Sequence, residues 1–126
     1  MKHSNSFYYD LDFGEKAEDW VKNVFSDGTK VEVKFDRMAH LTGNLFIEVY
    51  SRGKASGIST TQANYWIFLI KEKSYSLIVN TEKLKELCSI VYQIEGFVKG
   101  GDNNTSYGVL IPIKIILWTT TNKQHN

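Results

Sequence analysis

The chain lacks the residues and spacings that mark several common classes of protein. Its 126 residues include one cysteine, Cys88, which excludes an internal disulfide framework and suits a reducing compartment. No CxxC or HxxxH spacing occurs, so a structural zinc site is not expected. The glycine patterns GxGxxG, GxxxxGK and GxSxG are also absent. These absences argue against nucleotide-binding loops and serine-hydrolase sites.

Long apolar runs and an excess of one charge are lacking as well. No run reaches the length of a membrane span, and the N-terminal MKHSNSFYYDLD has no apolar core of a signal peptide. We therefore expect a cytosolic protein without a membrane partner, in a cell or in an infected host. The formal net charge is +1, so binding of nucleic acid would require a local basic patch.

The composition that remains is that of an ordinary globular chain. Hydrophobic residues make up 42% and charged residues 23%, and the length fits one domain, residues 1–126. A helix is predicted from Phe13 to Phe25, with Asp12 as its N-cap. Its apolar residues recur at helical spacing and predict one buried stripe: Ala17, Trp20, Val21 and Val24.

Strand patterns and a second helix follow. Apolar alternation or continuous apolar runs predict five strands: Lys30–Asp36, Asn44–Tyr50, Tyr65–Ile70, Tyr75–Val79 and Tyr107–Leu117. The continuous run Tyr65–Ile70 indicates a central strand covered on both faces. A helix is predicted from Thr81, its cap, to Gln93, with one buried stripe: Leu84, Leu87, Cys88 and Val91. This order predicts an α/β fold in which a mixed sheet carries flanking helices.

Two of the strands carry the charged residues of greatest interest. Glu32, Lys34 and Asp36 share one face of the first strand, because successive side chains alternate. If this strand pairs as a hairpin with the second, Glu48 comes close to that row. Converging carboxylates beside a lysine suit Mg²⁺, a hard cation that takes oxygen ligands, and phosphodiester hydrolysis. Plainer interpretations stay open: Asp36 as a turn residue and Glu48 as a solvated strand residue.

This arrangement resembles the PD-(D/E)XK nuclease superfamily, in which an acidic residue on one strand precedes another in an apolar strand. The segment GISTTQANYW is similar to the one after the active-site strand in virus-type replication-repair nucleases and archaeal Holliday junction resolvases. There a glutamine opens a helix or turn, as Gln62 is expected to do here behind Thr60 or Thr61. Those families also carry a glutamate on a preceding helix, and Glu15 is its counterpart.

The resemblance, which covers residues 10–80, implies a restriction-endonuclease-like core and a Mg²⁺- or Mn²⁺-dependent DNA endonuclease. Asp36, Glu48 and Glu15 would hold the metal, and Gln62 would orient the site. The resemblance further suggests branched DNA as substrate and a homodimer. The alternative is a nucleic-acid-binding or interaction module with the same fold and impaired catalysis.

This chain differs from the family pattern at the position of the family's lysine. In the preferred register it would occupy position 50, where this chain has Tyr50. Lys34 would reach the site from the neighbouring strand, or Lys54 from the following loop. A second register uses Asp27, Glu32 and Lys34, but only four residues separate the two acids along the chain.

The expected DNA contacts lie in loops. The segment SRGKASGIS exposes backbone N–H groups at its glycines, and Arg52 and Lys54 add charge that suits a phosphate backbone. Arg37 follows the first strand and is a third candidate. His40, in the connection after that strand, would be a proton donor or an incidental loop residue. A mobile loop is expected at residues 100–104.

Overall fold

The computed structural model describes residues 15–16 and 18–117. Four helices occur in this part of the chain: α1 at residues 18–24, with 15–16 also helical, α2 (Ala39–Thr42), α3 (Thr81–Glu95) and α4 at residues 113–117. Its seven strands are β1 (Val31–Asp36), β2 (Asn44–Ser51), β3 (Lys54–Ala55), β4 (Tyr65–Ile70), β5 (Ser76–Asn80), β6 (Val98–Gly100) and β7 (Ser106–Pro112). Short 3₁₀ turns lie at Gly57–Ser59 and Asp102–Asn104. The fold is therefore mixed α/β, as predicted.

The strands form two sheets instead of the single mixed sheet that the sequence predicts. One sheet has the order β1-β4-β5, with β1 parallel to β4 and β4 antiparallel to β5. The other is antiparallel and has the order β3-β2-β7-β6. The hairpin considered for β1 and β2 is therefore wrong. The chain leaves β1 through α2, β1 pairs with β4, and β2 pairs with β7.

One hydrophobic core joins the two sheets to α3. Its fully buried side chains include Leu45 and Ile47 of β2, Phe68 of β4 and Leu84 of α3. The central position predicted for β4 is confirmed. Its expected burial on both faces is wrong, because Trp66, Phe68 and Ile70 face the core while Leu69 is 40% exposed on the other side.

The charged face of β1 points into the molecule, and its apolar face points outward. In the parallel register Glu32, Lys34 and Asp36 pair with Trp66, Phe68 and Ile70, the core face of β4. Val33 and Phe35 lie on the outer face and are 57% and 55% exposed. The edge strand thus delivers two carboxylates and a lysine to the space between the sheets.

The first helix is confirmed where the structure describes it, and its predicted stripe is only partly buried. Val24 is buried, whereas Trp20 and Val21 are partly exposed. Trp20 meets the ring of Tyr65 edge-on, with 5.7 Å between the ring centroids, so α1 packs at the Tyr65 end of the outer face of the first sheet. Asp12, Phe13 and Ala17 lie outside the described residues.

The second predicted helix is confirmed with a different cap. The side chain of Asn80 accepts hydrogen bonds from the N–H groups of Glu82 and Lys83, and Thr81 is the buried first residue of α3. Asparagine caps helices at least as well as threonine, and residue 80 has the extended backbone that a cap requires. The predicted stripe is buried, with Val91 packed at its edge.

Two other predictions are corrected. The last strand ends at Pro112 and not at Leu117, because the chain turns into α4 where proline has no N–H to continue the ladder. Gln62 lies in an irregular segment that follows the 3₁₀ turn at Gly57–Ser59, so it does not open a helical turn. The segment 100–104, for which a loop is expected, contains the last residue of β6, Gly100, and a 3₁₀ turn at Asp102–Asn104.

None of the helices in the described ranges has the length and hydrophobicity needed to cross a bilayer.

Candidate active-site cleft

A cleft of about 660 Å³ opens between the charged face of β1 and the outer face of β2. Four residues that the sequence singles out line it: Lys34, Asp36, Arg37 and Glu48. Phe46, Trp66 and Phe68 supply aromatic walls, and Gly100 and Gly101 close one end. The cleft therefore brings together both carboxylates of the preferred register, although their strands belong to different sheets.

Asp36 ties the two sheets together at the end of β1. Its Oδ1 accepts hydrogen bonds from the N–H groups of Met38, at 3.0 Å, and Ala39, at 2.9 Å. Its Oδ2 accepts from the N–H of Phe46 in β2, at 3.0 Å. A carboxylate has about four acceptor positions, so these three donors leave about one free position on Oδ2. The turn interpretation of Asp36 thus holds, and one position remains for a ligand.

Glu48 is held by two serine hydroxyls. Ser56 donates to its Oε2 at 2.9 Å, and Ser106 donates to its Oε1 at 2.7 Å. Because that bond uses the one hydroxyl proton of Ser106, the 3.1 Å contact with Ser51 is a bond that Ser51 donates. Each oxygen keeps free acceptor capacity, so Glu48 is oriented and still able to bind a cation.

A glycine fixes the approach of Ser56 to this carboxylate. Gly57 follows Ser56, has φ = +55°, and packs against the backbone of Glu48. A Cβ at this position would overlap the carbonyl oxygen of Glu48, so any other residue would push the turn away from β2. The turn Gly57–Ser59 therefore acts as a support for Glu48.

The floor of the cleft is the ring of Phe46, which lies across two glycines of neighbouring strands. A Cβ on Gly100 or Gly108 would come within 3.0 Å of ring carbons of Phe46. Phe46 and Glu48 share one face of β2, and two residues of strand span about 7 Å. Since Asp36 is bonded to the backbone of Phe46, the two carboxylates line the same cleft about two residues of strand apart.

Two lysines line the cleft, Lys99 of β6 and, on the charged face of β1, Lys34. The Lys34 ammonium pairs with Glu32 Oε1 at 3.0 Å and lies 5.5 Å from the centre of the Trp66 ring. Both partners of this ion pair are about half exposed, so the pair contributes little to stability and leaves the ammonium free to move. Arg37, next to Asp36, adds an exposed guanidinium to the rim.

Position 50, where the resemblance would place the family lysine, faces away from the cleft. The register of β2 with β7 shifts between Glu48 and Tyr50, and this bulge leaves Val49 as the extra residue. The ring of Tyr50 stacks on Tyr107, with 4.8 Å between centroids and an angle of 15°. Ser106 and Gly108 lie on the face of the sheet that carries Glu48, so Tyr107, between them, points to the opposite face. Tyr50 is paired with Tyr107 and shares that opposite face.

The remaining predicted residues do not line the cleft. Glu15 is exposed on the helical segment before α1. Gln62 is exposed, and its Oε1 lies 3.5 Å from the Lys30 ammonium. Arg52 and Lys54 lie at the tight turn between β2 and β3, where Arg52 and Gly53 both have positive φ, as a type I′ hairpin requires.

The second register is split between two sites. Glu32 is paired with Lys34 beside the cleft, whereas Asp27 lines a different cavity of about 580 Å³ next to the start of α3. Asn23, Asn64 and Glu82 also line that cavity. The geometry thus groups the residues of the preferred register and separates those of the alternative.

The donor set of the cleft fits a hard divalent cation. Mg²⁺ takes one or two carboxylates and keeps several waters. Asp36 and Glu48 supply two carboxylates with free acceptor positions. Within residues 15–16 and 18–117 no group of three or more His, Cys, Asp or Glu side chains is placed to hold a metal, so a cage made entirely of protein ligands is not found there.

Sequence reasoning missed the residues that position the two carboxylates. Ser56 and Ser106 are ordinary small polar residues, and nothing in their spacing indicates that both face Glu48. Gly108 carried a detectable signal, because a glycine inside a strand pattern marks a close approach of another group. That approach is made by the backbone carbonyl of Ile47 and, at a slightly greater distance, by the ring of Phe46.

Comparison of the chain with protein-family models, curated proteins and solved structures found no match, so the case for its function depends on the geometry described above.

Proposed function

We propose that this protein is a metal-dependent endodeoxyribonuclease that hydrolyses DNA phosphodiester bonds in the cleft between β1 and β2. The observation that carries the proposal is the meeting of Asp36 and Glu48 in one cleft with Lys34 and Arg37. Carboxylates suit a divalent cation, and the two basic side chains suit the phosphate that it would accompany. A restriction-endonuclease-like core, suggested by the resemblance of residues 10–80, is part of the same proposal.

Each residue of the cleft would have a separate role in the reaction. Asp36 and Glu48 would hold Mg²⁺ or Mn²⁺, and the bound ion would supply Lewis-acid polarisation of the phosphate and acidify a nearby water. Lys34 would place its ammonium against the negative charge that grows on the phosphate in the transition state. Ser56 and Ser106 would keep Glu48 oriented. Arg37 would bind the phosphate backbone at the rim.

The reaction itself is an in-line displacement at phosphorus. A water oxygen forms the new bond to phosphorus as the bond to the leaving oxygen breaks; the water gives a proton to solvent, and the leaving oxygen takes one up from solvent. Lys34 favours this step because its ammonium can leave the exposed pair with Glu32 and meet the negative charge that develops on the phosphate.

The proposal is tested with supercoiled plasmid and a four-way junction in Mg²⁺, Mn²⁺ or EDTA. We expect nicking or cleavage with metal and none with EDTA. Glu48→Gln keeps the size of the side chain and removes the charge of a proposed metal ligand, so this variant should not cleave. Glu32→Gln removes a carboxylate beside the cleft and should retain activity. Absence of cleavage with every metal and both substrates would overturn the enzymatic proposal.

A second candidate, a nucleic-acid-binding module without cleavage, is favoured by one observation. Asp36 already accepts three backbone hydrogen bonds, so its contribution to a metal site is limited to one position. Binding of the same DNA without cleavage, with affinity that falls on replacement of Lys34 and Arg37 by glutamine, would support this candidate.

A further inference from the structure

A second cavity, of about 520 Å³, lies beside the cleft and contains a histidine that the nuclease proposal does not use. We name it the His40 pocket. Its polar walls come from α2, from the start of β2, from the turn between β4 and β5, and from the start of α4: His40, Thr42, Asn44, Lys73, Tyr75 and Lys114. Ile70 and Pro112 are among its apolar walls.

The imidazole of His40 has an unmet hydrogen-bonding need. Its side chain is only 12% exposed, and Nδ1 is buried with no hydrogen-bond partner among the described residues. The other nitrogen, Nε2, lies 3.9 Å from Glu72 Oε2, which is beyond hydrogen-bond distance. A buried polar atom without a partner costs free energy, and a ligand in the pocket would remove this cost if the ring rotates to bring Nδ1 to it.

The charges around the pocket select an anion. Lys73 and Lys114 both line it, and no carboxylate within the described ranges forms an ion pair with either of them. The Tyr75 ring, about half exposed, adds a hydroxyl donor. Glu72 is the opposing charge, but its side chain is 69% exposed and can rotate into solvent. Ammonium, imidazole and hydroxyl donors around one space suit a phosphate group.

The pocket adjoins the cleft. Thr42 and Asn44 line both cavities, because the end of α2 and the start of β2 form the wall between them. A DNA strand with one phosphate in the cleft can therefore place a neighbouring phosphate in the pocket. We propose that the His40 pocket binds a backbone phosphate of the strand that is cut; this assignment to DNA rests on the proposed nuclease function.

The first test uses inorganic phosphate and the full chain with ¹⁵N-labelled histidine. His40→Phe identifies the ring signals of His40. We expect a saturable shift of these signals on addition of phosphate. In Lys73→Gln/Lys114→Gln the apparent dissociation constant should rise at least fivefold. The control Lys22→Gln/Lys85→Gln removes the same charge outside the pocket and should bind as the wild type does.

His40→Phe also tests why the histidine is there. Phenylalanine keeps an aromatic ring and removes both nitrogens, so the variant should unfold at the same or a higher temperature than the wild type. A lower melting temperature would show that the imidazole is needed for packing, and it would overturn the argument from the unpartnered nitrogen. The lysine variants change exposed side chains only, so they report on binding even if His40→Phe fails to fold.

The second test asks whether the phosphate belongs to DNA. Duplex binding is measured in EDTA, so that cleavage plays no part, at several salt concentrations. Lys73→Gln/Lys114→Gln should lower the slope of log K against log salt by about 0.9, since about 0.9 counterion is released for each phosphate contact and the pocket holds one phosphate. The Lys22→Gln/Lys85→Gln control should change it less.

The outcomes separate the two proposals. A saturable phosphate shift with reduced DNA slope supports the pocket, whether or not the wild type cleaves DNA. A phosphate shift without any change in DNA binding would mean that the pocket takes free phosphate, and the assignment to DNA would be overturned. Absence of a saturable shift at His40, or the same apparent dissociation constant for phosphate in both double variants, would overturn the proposed phosphate site.

Discussion

The Asp36 carboxylate accepts a hydrogen bond of 3.0 Å from the backbone N–H of Phe46. Asp36 ends β1 in one sheet, and Phe46 lies in β2 of the other. The bond therefore joins the two sheets beside the charged residues of the cleft. It also places Asp36 two residues of strand away from Glu48.

This relationship predicts that Asp36 matters for stability as well as for activity. Asp36→Ala removes the acceptor of three backbone N–H groups and should lower the free energy of unfolding by about 2–3 kcal/mol. Asp36→Asn should cost less, because its amide oxygen still serves Met38 and Ala39. Urea unfolding of both variants checks the order. Equal stability of wild type and Asp36→Ala would contradict the structural role.

Gly57 is predicted to control the site through Ser56 and Glu48. Gly57→Ala introduces a Cβ into the backbone of Glu48, so cleavage should fall at least tenfold. Gly53→Ala is the matched control, since Gly53 also has a positive φ but a Cβ there meets nothing within 4 Å. Plasmid nicking by the two variants at equal folded concentration makes the comparison. Similar rates for both variants would show that Gly57 has no positioning role.

The role of lysine is predicted from its place in the cleft. Lys34→Ala should lower the cleavage rate about a hundredfold, as loss of a positioned charge usually does. Lys54→Ala should be mild, because Lys54 lies at the turn between β2 and β3. Single-turnover rates separate this effect from DNA affinity. A severe loss in Lys54→Ala alone would move the catalytic lysine to that turn.

Tyr50→Lys is expected not to rescue Lys34→Ala. Position 50 faces Tyr107 and not the cleft, so a lysine there cannot take the place of Lys34. The change should also lower stability by about 1 kcal/mol through loss of the aromatic stack. Thermal unfolding and cleavage by the double variant check both parts. Recovery of cleavage would mean that the bulge at Val49 rearranges in the active enzyme.

The buried thiol of α3 gives a prediction about pH. Burial raises the pKa of Cys88 to about 12 from an ordinary value of 9.0. The unfolded chain therefore loses this proton at lower pH than the folded protein does. Stability is unaffected below pH 9 and should fall above it, by at most about 1.4 kcal/mol per pH unit. Comparison with Cys88→Ala isolates this contribution, and identical alkaline slopes would contradict it.

Local patterns predicted most of the elements of this fold. The apolar stripe of α3 and the apolar run of β4 are strong signals, because burial of one helix face or one strand depends on local spacing. The pairing of strands depends on contacts that are distant in sequence. The sequence between β1 and β2 is short enough for a hairpin, and nothing in it showed that β1 would pair with β4.

The candidate site was predicted only in part, because some of its signals are local and others depend on contacts that are distant in sequence. Asp36, Glu48 and Lys34 stand out because charged residues inside strand patterns are costly unless they have a role or a partner. The bulge at Val49 could not be predicted, since it inserts no glycine and leaves the alternation of β2 intact up to Glu48. The serines that hold Glu48 were missed because small hydroxyl residues carry no periodic signal.

The central claim, that Asp36 and Glu48 hold the metal, is tested most directly by Mn²⁺ titration of the ¹⁵N-labelled protein. Paramagnetic broadening should appear first at the amides of Phe46, Glu48 and Gly108, and Glu48→Gln should abolish it at the same Mn²⁺ concentration. Broadening that begins instead around Asp27 and Glu82, or that Glu48→Gln leaves unchanged, would contradict the account.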